Sequence, residues 1–143
     1  MRVLGVDLGE RRIGVAVSDS AEVLASPYTT LSRTGDAEAD RAALVAVVDE
    51  VGAGRVVVGL PLGLDGRTGR AARGALEEAD ALRQALGERA VEVVTVDERL
   101  TTVTAERALR EGGRHGRDRR KVVDQSAAAV LLQAWLDGHR SAP

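Results

Sequence analysis

No cysteine and no phenylalanine occur among the 143 residues, and tyrosine and tryptophan occur once each, as Tyr28 and Trp135. The missing cysteines exclude disulfides, thiolate metal sites and a cysteine nucleophile. With so few rings, the 44% apolar fraction comes almost entirely from Ala, Val and Leu, so the core is aliphatic. The same scarcity argues against binding single strands by stacking bases on aromatic platforms. Histidine is also rare: His115 lies in a basic segment and His139 near the C-terminal end, which leaves no histidine set for zinc. No apolar run is long enough to cross a bilayer. Arg2 is followed by strand-like alternation rather than by the unbroken apolar stretch of a signal peptide. A cytoplasmic protein without a membrane partner is expected, and the length suits one domain with a full core of its own.

A net charge of −2 excludes a chain that is basic throughout. The charge is unevenly placed, however. From Arg107 to Lys121 seven cations face two anions, a local +5 against −7 for the rest of the chain. Such a patch on an acidic body can hold a polyanion. On charge alone, a solvated surface run is the commoner meaning.

Hydrophobic periodicity divides the chain. Val3–Val6 and Ile13–Val17 read as two strands joined by a turn carrying Gly9, Glu10, Arg11 and Arg12. Val23–Leu31 reads as a third, interrupted by Pro27 and so an edge or bulged strand. After Asp36, an N-cap candidate, Leu44, Val47, Val48 and Val51 recur at helical spacing until Gly52 and Gly54. Arg55–Gly59 is a continuous apolar strand of the kind buried on both faces. A Gly-rich loop, "LPLGLDGRTG", leads to a helix marked by Ala75, Ala79, Leu82 and Leu86 and stopped by Gly87. Val91–Val96 is the fifth strand. A short helix is expected from about Thr101 or Thr102 to Gly112, then a mobile loop, "GGRHGRDRR", then a last helix from about Lys121 to Leu136 closed by Gly138. The order implies an α/β domain over 1–138: a five-stranded mixed sheet, three antiparallel strands then parallel ones, with helices on both faces and a disordered tail at 139–143.

Three carboxylates stand out. Asp7 follows Val6 within an apolar run, where a carboxylate is costly to bury unless something positive meets it; Asp-x-Gly is equally good turn chemistry. Asp97 and Glu98 stand at the C-terminal end of the fifth strand, where ligands gather in open α/β sheets, although acids also suit a helix N-terminus. Asp124 shares a helical face with Ala128, Leu131 and Trp135, and the helix dipole accounts for its position along the helix but not for its apolar company. Converging acids repel unless a cation joins them. A set of oxygen ligands suits Mg²⁺ or Mn²⁺, and two such ions would activate a water and stabilise a leaving oxygen.

The segments "DLGERRIGVAVSD", "GLPLGLDGRTG", "VDERLTTVTAERAL" and "KVVDQSAAAVLLQAWL" together resemble the YqgF/RuvX family of pre-16S rRNA nucleases and Holliday junction resolvase homologues, over Arg2 to about Leu136. The resemblance implies an RNase H-like fold and phosphodiester cleavage dependent on Mg²⁺ or Mn²⁺. It assigns the catalytic acids to Asp7, Glu98 and Asp124, with Asp97 as a further metal ligand. RuvC-type enzymes carry an acid at the end of the fourth strand; here that strand ends "VGLPL", so the "DER" segment must complete the set. The family's loop often reads "LPLNMDG", whereas this chain has Gly63 and Leu64. Substrate contacts are expected from Gly9, Arg11 and Arg12 beside Asp7, from Gly63, from Thr101 and Thr102 capping a helix, and from Arg114, Arg117, Arg119, Arg120 and Lys121 on phosphates. The expected function is processing of the 5′ end of pre-16S rRNA in ribosome biogenesis, with ribosomal precursor particles as partners. The alternatives are cleavage of branched DNA, which would call for a homodimer rather than a monomer, and non-catalytic RNA binding in assembly. "DLGERRIG" also resembles the first phosphate loop of sugar kinases and actin-like ATPases, but those close two such domains around a nucleotide and one is present here.

Overall fold

In a computed structural model the structure describes residues 1–61, 69–98 and 116–141, with side chains from 127 to 139 in the last stretch. Five strands form one sheet: β1 Arg2–Leu8, β2 Arg12–Ser18, β3 Ala25–Ser32, β4 Ala53–Leu60 and β5 Glu92–Asp97. Their order is β3-β2-β1-β4-β5; β1, β2 and β3 pair antiparallel, and β4 and β5 add in parallel. Three helices are described: α1 Ala37–Val51, α2 Arg70–Leu86 and α3 Gly116–Ser141.

The helix limits follow local chemistry. The Asp36 carboxylate accepts hydrogen bonds from the Glu38 and Ala39 amides at 3.0 and 3.4 Å, and Gly52 ends α1 at a φ of 68° that other residues resist. Gly87 ends α2, whose Ala75, Ala79, Leu82 and Leu86 are all buried, as their spacing predicts.

Strand alternation builds two cores. Leu4, Val6, Ile13, Val15, Val56 and Val58 face α1 and α2. Val3, Ala16 and Val57 face α3 through Ala128, Leu132 and Leu136. Gly5 brings α3 close to β1: a Cβ there would stand 2.7 Å from Leu132 Cβ and 3.0 Å from the Ala128 carbonyl oxygen. At the sheet margin, Gln133 pins α3 to the chain entering β3. Its Oε1 accepts from the Ala25 amide and its Nε2 donates to the Val23 carbonyl, both at 2.9 Å.

Two expectations change. Residues 116–120, expected in a mobile loop, form the first turns of α3. Arg and Lys favour helix, and Asp118 in the first turn complements the dipole. Gly138 does not close α3, which continues to Ser141; His139 stacks on Trp135 with ring centroids 4.5 Å apart, so 139–141 is helix rather than tail. Pro27 does lie on an edge strand, beside a bulge. The expected short helix from Thr101 to Gly112 lies outside the described residues, and among those described no helix is long and apolar enough to cross a membrane.

Candidate active site

Asp7 is not a turn residue. It pairs with Gly14 inside the β1–β2 ladder, one residue beyond the Val6–Val58 pair of β1 and β4. By alternation it shares the α3 face of the sheet with Val3 and Gly5. On β5, Val94 and Val96 face α3 while Val93 joins the opposite core. Glu98 continues the α3-facing series just past the strand end, and Asp97 falls with Val93 and Thr95 on the other parity.

Glu98 crosses β4 to reach Asp7, and the two carboxyl groups share a hydrogen bond. Burial, that bond, and the negative charges of Asp7 and Asp97 push the Glu98 carboxyl up to about 7. While Glu98 keeps its proton, that proton is shared in the hydrogen bond with Asp7. The proton occupies the place where a cation would relieve the same repulsion.

The crossing depends on Gly59. A Cβ on Gly59 would lie 2.5 Å from Glu98 Oε1, 2.8 Å from its Cγ and 3.0 Å from its Cδ. This position lies one residue before the end of the fourth strand, in the segment "VGLPL" that carries no acid. With no side chain there, the neighbouring strand's acid comes over the top. The residue was absent from the sequence-based candidates; a glycine inside an otherwise β-branched strand was the available signal. Gly59→Ala should push the flexible Glu98 side chain aside and destabilise the protein by about 1 kcal/mol. In a Glu98→Ala background the same substitution should cost less than about 0.5 kcal/mol. Equal costs in both backgrounds, read from denaturant unfolding, would show that Glu98 is not what Gly59 accommodates.

Helix α3 extends toward the same edge. Ala128 Cβ would lie 3.6 Å from a Cβ on Gly14, Leu132 covers Gly5, and the Arg55 guanidinium sits 5.1 Å from the Trp135 ring centre near the start of β4. The helix thus runs antiparallel to β1. Position 124 falls one turn before Ala128 on the same face, about 6 Å further toward the edge that holds Asp7 and Glu98. The side chain of Asp124 lies outside the described residues. Among those residues, no three acid or histidine side chains gather as a metal-holding cluster; the described part of the set is the Asp7–Glu98 pair.

A cleft of about 600 Å³ opens beside Asp7, and Gly9, Arg11 and Arg12 line it. The turn that carries them is rigidly held. The Gly9 amide donates to the Arg12 carbonyl at 2.9 Å, and a Cβ on Gly9 would stand 2.7 Å from that oxygen. Arg33, just past β3, braces the turn, its amide donating to the Arg11 carbonyl and its Nε to the Gly9 carbonyl at 2.9 and 2.6 Å. Arg117, Arg119, Arg120 and Lys121 lie on the first turns of α3; their side chains, together with Gly63, Thr101, Thr102 and Arg114, lie outside the described residues.

Comparison with known proteins matches residues 1–138 to the family model described as RuvX, Holliday junction resolvase. A protein of Mycolicibacterium paratuberculosis named "Putative pre-16S rRNA nuclease" is 47% identical over 99% of this chain and 83% of its own length. One of the same name from Myxococcus xanthus is 48% identical over 98% and 90%. Among solved structures, Thermus thermophilus RuvC in complex with a Holliday junction substrate superposes with a TM-score of 0.59 at 16% identity, covering 99% of this chain and 96% of that one. The yeast mitochondrial Holliday junction resolvase follows at 0.54 and 12%, over 96% and 81%. The fold is the RNase H-like fold of the RuvC resolvases.

Proposed function

Because the chain belongs to the RuvX family, we propose that it is a phosphodiester hydrolase acting on nucleic acid in the cytoplasm, with the 5′ region of pre-16S rRNA as its substrate. The observation that carries this reading is the Asp7–Glu98 pair, two carboxyl groups held together at the open edge of the sheet beside a cleft lined by Arg11 and Arg12. The donor set fits a hard divalent cation: it is all oxygen, and burial together with the neighbouring acids favours the protonated form of Glu98 where no positive charge faces it. Asp7 and Glu98 would hold Mg²⁺ or Mn²⁺, with Asp124 from α3 completing the set and Asp97 contributing charge nearby. When bound, such an ion polarises the phosphate and lowers the pKa of a coordinated water.

The protein's own residues do the rest. Gly59 leaves Glu98 room to cross β4, and Gly9 keeps the β1–β2 turn tight beside Asp7. Arg11 and Arg12 present guanidinium groups that pair with phosphate oxygens and orient the scissile segment. The basic first turns of α3 extend the cationic path, so binding should weaken steeply with salt.

The relatives' names favour RNA, while the fold likeness to RuvC keeps branched DNA as the rival substrate. The test offers the purified protein a pre-16S rRNA fragment and a mobile four-way DNA junction, each with Mg²⁺ or Mn²⁺. Cleavage of the rRNA fragment with the junction intact is the expected result. Symmetric cutting of the junction by a dimeric protein would assign resolvase activity instead. Failure to cut either would remove the catalytic reading and leave RNA binding.

A further inference from the structure

We propose that the cleft beside Asp7 continues across β2 as a subsite for one nucleotide of a single strand, with Tyr28 as the surface on which its base stacks; this rests on the nuclease reading above. The register places the parts. Asp7 pairs with Gly14, and Gly14 pairs with Thr30, so a row on the α3 face runs from the carboxylate across β2 to the edge strand. Two interstrand steps separate its ends, about 10 Å.

The middle of that row has no side chain. A Cβ on Gly14 would meet Ala128 Cβ at 3.6 Å and Asp7 Cβ at 3.8 Å, so anything larger would fill the floor of the cleft. The result is a trough of about 600 Å³, within the usual range for small-ligand sites. Its inner end is acidic and catalytic. Arg11 and Arg12 stand along it, and neither guanidinium makes an ion pair or hydrogen bond among the described residues.

The outer wall is β3, and here the strand departs from regular pairing. Val15 faces Thr29 and Ala16 faces Pro27, which leaves Tyr28 as the extra residue of a β-bulge. Bulges beside active sites re-aim a side chain. The residue re-aimed is the chain's single tyrosine, it lines the cleft, and it is 38% exposed. An exposed ring at the end of a trough that begins at the Asp7–Glu98 pair and is lined by Arg11 and Arg12 matches an anionic chain bearing a flat base. The scarcity of aromatic residues argues against stacking along a whole strand, but one ring suffices for one base, with the Thr30 hydroxyl beside it as a hydrogen-bonding group.

The experiment measures binding of short fluorescent single-stranded RNA and DNA by anisotropy in EDTA, where no cleavage occurs, and steady-state cleavage with Mn²⁺. The proteins are wild type, Tyr28→Ala, Tyr28→Phe and, as an exposed control, Leu24→Ala. Tyr28→Ala should weaken binding about tenfold and raise KM in proportion, with kcat within about twofold because no reacting atom is touched. Tyr28→Phe keeps the ring and should match wild type, as should Leu24→Ala. Loss on the RNA arm alone assigns a ribonucleotide strand, and equal loss on both assigns either backbone. Wild-type binding and cleavage with Tyr28→Ala unaffected would overturn the subsite alone. A wild-type protein that binds neither strand would overturn the subsite together with the nuclease reading.

Discussion

Asp7→Asn should reduce metal-dependent cleavage of the pre-16S rRNA fragment at least about a thousandfold while leaving the fold intact. Asparagine matches aspartate in shape, and the backbone pairing of this position with Gly14 does not involve the side chain. What disappears is one negative charge from a pair held within hydrogen-bonding distance. Two consequences follow together. A divalent cation would lose one of the two carboxylates proposed to hold it. The Glu98 carboxyl loses a neighbouring charge and the carboxylate that accepts its hydrogen bond, so its pKa moves back down, with burial, the largest cause of the shift, still holding part of it. The variant should therefore unfold in EDTA no more easily than wild type, yet bind Mn²⁺ far more weakly. Cleavage at the wild-type rate by purified Asp7→Asn would place the chemistry elsewhere on the molecule. A variant that lost activity only because it was unfolded would betray itself in circular dichroism, and the reading above requires that it does not.

The sequence carried most of the architecture because the signals were local. Asp36 caps, Gly52 and Gly87 stop, and aliphatic residues at period two or near four mark strands and helices; each acts within a few residues of itself. Three acids could be singled out for the same reason, since each is out of place in its own segment. What could not be read was lateral. Gly59 and Gly14 flank Asp7 on neighbouring strands, and only the pairing register puts them beside it. One glycine lets Glu98 cross; the other leaves a trough open toward Tyr28. Asp97 and Glu98 are adjacent in sequence, and position along the chain alone does not say which of them meets Asp7. Alternation divides them, Glu98 following Val94 and Val96 onto the α3 face and Asp97 following Val93 and Thr95 onto the other. That distinction was available from period-two reasoning once β5 was known to run to Asp97. The start of α3 departs from expectation for a different reason: glycine and charge together suggest a loop, whereas arginines and lysine propagate a helix well and packing of Ala128, Leu132 and Leu136 downstream anchors it.

Affinity for Mn²⁺ should fall about a hundredfold between pH 7 and pH 5, because Glu98 must give up its proton to hold a cation and each unit below its folded pKa makes that about tenfold harder. The relevant value is about 7 in the fold against 4.5 for a free glutamate. The same proton sets an opposite trend in the metal-free protein. Between those two values the native state holds more protons than the unfolded chain, so this group's contribution to stability is full below about pH 4.5 and is lost as pH rises through 7. Glu98 is half-buried, and solvent screening limits the loss to about 1–2 kcal/mol. Saturating Mn²⁺ binds only the folded site and adds stability that grows with pH as the carboxylate becomes available. Thermal unfolding with EDTA should therefore slope downward from pH 5 to 8, while the increment produced by Mn²⁺ should slope upward over the same range. Glu98→Gln removes the titrating group and should flatten both curves. Mn²⁺ affinity that is equal at pH 5 and pH 7 in the wild-type protein would mean that Glu98 is not a ligand, and that its closeness to Asp7 serves the fold rather than a cation.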